Sequence, residues 1–322
     1  MSDISGCNNI NINIYIIMEI QPQSTSSLIF KFFVFIGLFF ILKKIYKFVS
    51  WIYKSFLLPP VDFKKEYGDG WAVITGGSDG IGFAFAEEFL KQNLKICIIA
   101  RNEEKIKKVI EQLKEKYKNG NVKYIVWDFD KRYTNEEINE LKNKFSSELN
   151  NDISILYNNV GNVARGKLTE LSNEEIQTMF NINIAAPTFI TKIVIDLMLK
   201  RKEKSLVFFS GAVMGRMRFA TRQVYSSAKS YLESFSECLA REYPSIDFTC
   251  LNIGPVESNF NRAKMPFTVK PRQFAESAVN KLGRYGFTGG CIQHDIFWFL
   301  FWNIPFLSGM IHKKMGAKPK SI

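Results

Sequence analysis

Histidine is nearly missing from this chain of 322 residues: His294 and His312 are the only two. Each reads as a surface or interface residue. Cysteine is also thin, with Cys7, Cys97, Cys238, Cys250 and Cys291 scattered and never paired as C-x-x-C. No zinc-type ligand set can be assembled from such a supply, so no metal site is expected. An odd, dispersed set of cysteines excludes a disulfide framework and reads as reduced thiols. No N-x-[ST] acceptor occurs either, which fits a fold exposed to the cytosol. Acidic residues are outnumbered, 31 against 43 basic, giving a formal net charge of +12. A basic surplus points to nucleic acid, a membrane surface or an anionic ligand. No zinc-finger spacing, basic zipper or basic-aromatic RNA motif accompanies it, so no nucleic-acid partner is expected.

Apolar residues make up 46% of the chain, enough for a sizeable core. Residues 1–27 are rich in Asn, Ile and Ser, a composition that predicts a disordered tail. LIFKFFVFIGLFFIL then fills 28–42 and KKIYKFVSWIYKSFLLPP continues to 60. The apolar run is near the shortest length that spans a bilayer, and Lys31 interrupts it. The segment therefore predicts a membrane anchor, 28–60, which either spans the bilayer or lies in it. The alternative is a buried core helix. The lysines after the run place the remainder in the cytosol. At the other end, IFWFLFWNIPFL (296–307) is a second aromatic patch, too short to span. It either dips into one leaflet or caps the core. Basic residues in 262–284 and in the tail would lie against anionic headgroups.

From Trp71 onward short β-rich runs alternate with helical stretches. The runs are WAVIT, LKICIIA, VKYIVWD, ISILYNN, SLVFFS and FTCLNIG. The helices are expected at 81–91, 103–116, 135–149, 173–200 and 271–282, with one more from near Tyr225 to Glu242. This pattern predicts an α/β fold, a single doubly wound domain with a parallel sheet. Its bounds are set at 68–293, followed by an aromatic, basic extension, 294–322.

TGGSDGIG joins the first strand to a helix. Gly76, Gly80 and Gly82 allow a tight turn whose helix-terminal N–H groups can face a pyrophosphate; Thr75, Ser78 and Ile81 belong to the same turn. The second strand ends at Arg101, where a carboxylate would select the ribose hydroxyls of NAD. A guanidinium can fork onto the 2′-phosphate of NADP, so NADP(H) is favoured over NAD(H). Asp128, closing the third strand, is a candidate acceptor for the adenine amino group. Tyr225 and Lys229 stand at i and i+4 on one helix face. An ammonium beside the phenol would lower its pKa, letting it exchange a proton with a carbonyl oxygen.

Together these segments resemble the short-chain dehydrogenase/reductase superfamily over about 71–260. TGGSDGIG is similar to its T-G-x-x-x-G-x-G turn, and Asn158-Asn159-Val160-Gly161 resembles its N-N-A-G segment. Asn183 falls where the family keeps a helix asparagine that holds a proton-relay water. Tyr225 and Lys229 match Y-x-x-x-K, and Gly254-Pro255-Val256-Glu257-Ser258 is similar to the loop near the nicotinamide. The resemblance implies a Rossmann-type fold and Tyr225, Lys229 and Asn183 as catalytic residues. Asn159, Lys229, Pro255 and Val256 join the cofactor-binding set on the same ground, and a homodimer or tetramer is implied. Within the family, the chain looks most like the membrane-bound hydroxysteroid dehydrogenase and very-long-chain 3-ketoacyl-CoA reductase branch. Lys318-Pro319-Lys320-Ser321-Ile322 looks like a K-x-K-x-x endoplasmic-reticulum retrieval tail.

One member of the family's site is out of place. The catalytic serine normally precedes the tyrosine by thirteen residues, with a glycine three residues after the serine. Here that position is Ala212, followed by Gly215; Ser210 lies two residues earlier. Two readings stay open. Either the hydroxyl is lost, or a local bulge delivers Ser210 to the substrate oxygen. The expected function is an NADPH-dependent oxidoreductase interconverting a ketone and a secondary alcohol on a lipophilic substrate. It would work at the cytosolic face of a membrane, the endoplasmic reticulum. The alternative is a catalytically impaired NADP-binding scaffold, motivated by Ala212.

Overall fold

The computed structural model describes residues 25–118, 120–258 and 267–303, which fall into two compact units divided between Leu58 and Pro59. In the first unit, helix α1 (Thr25–Ile52) runs into a π turn, Tyr53–Leu57. At 1.5 Å per residue its 28 residues extend about 42 Å. Phe30, Phe35, Phe40 and Leu42 are all exposed, so over 28–42 the helix is apolar on every side apart from Lys31, before Lys43, Lys44 and Lys47. The helix starts three residues before the expected apolar run and carries on through the basic segment without a break.

The second unit begins at Pro59, earlier than the boundary expected at 68. A short helix, α2 (Phe63–Tyr67), carries Phe63 and Tyr67 into the core, where Phe63 meets Phe89 at 5.5 Å between ring centroids. Asp62 caps it by accepting from Lys65 N. The unit then alternates β1 (Trp71–Thr75), α3 (Gly80–Lys91), β2 (Lys95–Ala100), α4 (Glu103–Lys116), β3 (Val122–Val126), α5 (Asn135–Leu149) and β4 (Ile153–Asn158). A helical stretch follows as α6 (Asn173–Phe180), a π segment (Asn181–Ala185) and α7 (Ala186–Met198). Next come β5 (Ser205–Ala212), α8 (Val213–Met217), α9 (Gln223–Glu242), β6 (Ile246–Ile253), α10 (Pro271–Val279), β7 (Phe287–Thr288) and α11 (Ile292–Asn303).

All pairings are parallel, in the order β3-β2-β1-β4-β5-β6-β7. The strands read as nearly continuous apolar runs because both faces are covered. Phe85 and Phe89 of α3, Ile106 of α4 and Phe274 of α10 pack with Phe208 on one face. Phe145 of α5, Val194 of α7 and Leu232 of α9 pack with Phe209 on the other. The order of winding reverses between β1 and β4, with β2 and β3 laid down on one side and β5 to β7 on the other, so a crevice opens there at the carboxyl ends of the strands.

Two expectations change. The helix expected over 173–200 is interrupted at Asn181–Ala185 by a π segment, a feature that often marks functional positions. Asn173–Met198 is apolar and long enough to cross a membrane, yet half of it is buried within the domain, so it is a core element. The aromatic patch at the C-terminus belongs to α11, which starts at Ile292. Phe297 and Phe301 are buried against Val213, Met217 and Phe219, while Ile296 and Phe299 stay exposed. The helix therefore caps the core with one face and shows apolar side chains on the other. His312 and the K-x-K-x-x tail lie outside the described residues, as do 1–24.

Candidate active site

The crevice is built first by a turn that only glycine permits. Gly76 has φ +67° and Gly80 φ +55°, both in the left-handed region. A Cβ on Gly82 would stand 2.6 Å from both Asn159 Nδ2 and Gly76 O. Asp79 caps α3 by accepting from Gly80 N at 2.7 Å, and Lys105 holds the same carboxylate at 2.6 Å. Thr75 and Asn159, both expected in the cofactor-binding set, fasten the turn to β4. Thr75 Oγ1 donates to Tyr157 O at 3.2 Å and accepts from the backbone N–H groups of Asn159 and Val160. Asn159 Nδ2 donates to Thr75 O at 3.0 Å and to Gly76 O at 3.2 Å. Ser78 and Ile81 are half-buried at the turn and the first helical residues. The result is a rigid cradle at the start of α3, whose first turn packs so closely on Gly76 and Asn159 that only a glycine fits at 82. It fits the pyrophosphate of a dinucleotide.

Arg101 follows β2 and is exposed, beside a cleft of about 490 Å³ lined also by Asn102, Trp127, Asp128 and Lys131. Asp128 is exposed there, and its Oδ1 accepts from Asp130 N at 3.0 Å. Lys131 lies over the Trp127 ring, 4.4 Å from its centroid. The cleft thus carries two cations, Arg101 and Lys131, beside two carboxylates, Asp128 and Glu140, and Lys131 is paired with Glu137 at 2.9 Å.

At the opposite side of the crevice, Asn183 and Lys229 come together across Gly161. A Cβ on Gly161 would lie 3.3 Å from Asn183 Oδ1 and 3.6 Å from Lys229 Nζ. Asn183 sits in the π segment and is fully buried. Its Nδ2 donates to Asn162 O (2.8 Å) and Met179 O (3.0 Å), and its Oδ1 accepts from Asn162 N (3.1 Å). Lys229 Nζ donates to Ser210 O at 2.7 Å and lies 5.5 Å from the centroid of the Tyr225 ring. Burial pushes the Lys229 pKa down to about 8. Burial also pushes the Tyr225 phenol well above its ordinary range, and the nearby cation that pulls it back is Arg222. The ammonium-lowered tyrosine expected from spacing alone is therefore not what the tertiary environment produces. Desolvation of the phenolate outweighs the helix-face neighbour, and Tyr225 is held as a neutral phenol.

The structure keeps Ser210 inside the ladder. β5 pairs with β6 in unbroken register from Ser205↔Ile246 to Ala212↔Ile253, with Ser210 opposite Leu251, so the bulge that would bring Ser210 forward is absent. Its hydroxyl shares a 2.8 Å hydrogen bond with the Tyr157 hydroxyl and donates to Asn159 Oδ1 at 3.3 Å. Ser210 thus joins the network behind the glycine turn. Ala212 ends the strand, half-buried, and contributes only a methyl group. Gly215 packs against α9 at the level of Lys229; a Cβ there would be 3.0 Å from Lys229 C and Ser230 N. That close approach explains the glycine three residues after position 212.

Pro255 and Val256 form the last wall, Val256 pairing with Val269. His294 braces this segment and is fully buried, in contrast to the surface role expected of it. Gly254 N donates to His294 Nδ1 at 3.1 Å, which leaves Nε2 to donate to Pro255 O at 3.2 Å. Burial holds its pKa below the ordinary value, so the ring is neutral. Sequence reading missed this brace because it spans 40 residues and has no local pattern. It missed Tyr157 for the same reason: its partner Ser210 is 53 residues away, brought in by the sheet. Among the described residues, no cluster of three His, Cys, Asp or Glu side chains is placed to hold a metal.

A parallel sheet with a glycine cradle at its switch point and a Tyr–Lys pair across the crevice defines a dinucleotide-dependent oxidoreductase of the Rossmann type. The chain belongs to the short chain dehydrogenase family, whose profile matches residues 70–267, and so to oxidoreductases acting on CH–OH groups. Within it the chain falls in the branch of very-long-chain 3-oxoacyl-CoA reductases and steroid dehydrogenases. It is 31% identical to a very-long-chain 3-oxoacyl-CoA reductase of Rattus norvegicus, over 70% of this chain and 72% of that protein. It is 34% identical to the inactive hydroxysteroid dehydrogenase-like protein 1 of Homo sapiens, over 73% and 72%. Among solved structures, a 7beta-hydroxysteroid dehydrogenase superposes with a TM-score of 0.68 at 17% identity, covering 80% of this chain and all of that one; the likeness is one of fold.

Proposed function

We propose that this protein is an NADPH-dependent reductase that converts a ketone on a lipophilic substrate, a 3-ketoacyl thioester or steroid-like compound, to a secondary alcohol. It works at the cytosolic face of a membrane, the endoplasmic reticulum. The meeting of Asn183 and Lys229 at Gly161, with the Tyr225 ring beside Lys229, carries this reading. Bound in the crevice, NADPH supplies the hydride. The backbone from Gly76 to Gly82 would hold the pyrophosphate, with Arg101 and Lys131 for the 2′-phosphate, Asp128 for the adenine, and Pro255 and Val256 beside the nicotinamide.

Tyr225 would deliver the proton to the carbonyl oxygen. A neutral phenol carries the proton that ketone reduction requires. Lys229 would hold the ribose and stabilise the phenolate formed as the proton leaves. The Asn183 amide, fixed by three hydrogen bonds to backbone, would anchor the water that returns the proton. The exposed apolar stretch of α1 over 28–42 supports the membrane assignment, and the basic C-terminal tail supports the endoplasmic reticulum.

A second reading has a specific observation behind it. With Ala212 in the serine position and Ser210 engaged by Tyr157, no serine hydroxyl is supplied to polarise the carbonyl, as a scaffold with impaired catalysis would have it. NADPH oxidation by the detergent-extracted full chain, against ketone and acyl-CoA panels, separates the two. Turnover is expected with NADPH over NADH, with Tyr225→Phe lowering it at least about 100-fold and Arg101→Ala narrowing the preference. NADPH binding without turnover on any substrate would leave the scaffold.

A further inference from the structure

The loop leaving β4 is tied to the loop entering α9. Gly166 N donates to Thr221 O at 3.0 Å, and Gln223 Nε2 donates to Gly166 O at 3.4 Å. These bonds bring Arg165 alongside Arg222, three residues before Tyr225. Thr221, a β-branched residue, is held at φ +63°, a backbone state that such residues seldom adopt outside functional sites.

Arg222 is half-buried, and its Nη1 reaches only Met214 Sδ, at 3.9 Å. Arg222 Nε, Gln223 Oε1 and Ser226 Oγ are buried without a hydrogen-bond partner among the described residues. Three orphaned polar atoms on one helical turn are unusual in a folded protein. Burial, with the charge of Arg165 added, lowers the Arg222 pKa. Arg216, six residues earlier, shows the alternative: its guanidinium is bound by both carboxylate oxygens of Glu233. Neither Arg165 nor Arg222 has such a partner among the described residues. Arg165 is exposed and Arg222 half-buried, and a partly desolvated guanidinium beside a like charge costs stability unless an anion compensates it.

We propose that Arg165 and Arg222 clamp an oxyanion carried by the substrate, so that the preferred substrate is a charged keto compound and not a neutral ketone. A planar guanidinium pair is suited to a carboxylate or phosphate. The cofactor's phosphates are assigned to the other side of the crevice, at α3 and Arg101, so the clamp serves the substrate. This inference rests on the reductase reading given above. The oxyanion is either the carboxylate of a free keto acid or a phosphate of its coenzyme A thioester.

The test is ligand binding by thermal shift on the full chain in detergent. The probes are a 4-oxo fatty acid, its methyl ester and its coenzyme A thioester, matched in chain length. The proteins are the natural chain, Arg165→Gln and Arg222→Gln, with NADPH oxidation followed in parallel. A charged probe should bind about 10- to 100-fold more tightly than the ester, and each substitution should remove most of that preference. Preference for the acid assigns the carboxylate; preference for the thioester assigns the phosphates. Arg222→Gln should also raise the Tm of the ligand-free protein, since it relieves the like-charge pair; a purely structural arginine would lower it. An ester that binds as tightly as both charged probes, or substitutions that weaken all three alike, would overturn the clamp. Charge-selective binding without NADPH oxidation would sustain the clamp and sink the reductase.

Discussion

Position 212 carries a methyl group where the family's hydroxyl would stand, while the nearest serine is committed to Tyr157 and Asn159. Ala212→Ser is therefore expected to raise kcat by about tenfold or more, since one oriented donor to a reacting oxygen is worth 10²–10³ in favourable cases. Ser210→Ala should cost about 1 kcal/mol of stability and less than tenfold in kcat. A gain absent from the first variant and a loss above 100-fold in the second would return the catalytic role to Ser210. Lys229 makes the second prediction at this scale. Its folded pKa of about 8 lies below the unfolded value near 10.4, so between these values the unfolded chain binds more protons. Stability then rises with pH across this window, and below about pH 8 the buried ammonium costs on the order of 3 kcal/mol. Lys229→Met should thus raise Tm at pH 7 while abolishing turnover. The gap in Tm between variant and natural chain should close as pH rises from 8 to 10.5. A gap constant with pH would show that Lys229 is not desolvated. The i, i+4 spacing of Tyr225 and Lys229 was legible in the sequence, but the balance between attraction and desolvation was not. It depends on side chains brought in from β5 and β6.

At the scale of elements, the alternation of apolar runs and helical periods located the six main strands and most helices within a few residues. What it missed follows from its period. β7 has two residues, too few to show alternation, and α2 and α8 have five each. The π segment at Asn181–Ala185 inserts one residue into an otherwise regular helix, a defect no hydropathy pattern reveals. The glycine turn was legible because its glycines have mechanical causes that local sequence encodes. Gly82 tests this. Alanine there would drive a methyl against Gly76 O and Asn159 Nδ2, and backbone cannot yield as a side chain does. Gly82→Ala should lower stability by about 1–3 kcal/mol and abolish dinucleotide binding, measured by denaturant melts and by quenching of protein fluorescence with NADPH. Retained affinity would mean that the cradle is not the binding element.

At the scale of the whole molecule, the division at Leu58/Pro59 separates an apolar helix from a domain with its own core. Chain 59–322 should fold without residues 1–58 and keep a cooperative melt. After a carbonate wash of expressing cells' membranes it should appear in the supernatant, while the full chain stays in the pellet. Release of the full chain would mean that α1 lies on the bilayer and does not cross it. The exposed Ile292, Ile296 and Phe299 on α11 are expected to give the short form a weaker, wash-sensitive attachment.

The sequence by itself determined the class of fold, the glycine turn, the Tyr225–Lys229 pair and the apolar N-terminal helix. Each is encoded by neighbours in the chain, through periodicity or through residues only a few positions apart. Tertiary structure alone decided the desolvation of Tyr225, the confinement of Ser210, the bracing role of His294 and the arginines beside α9 that have no carboxylate partner among the described residues. These depend on desolvation and on partners tens of residues away, which no local pattern can carry.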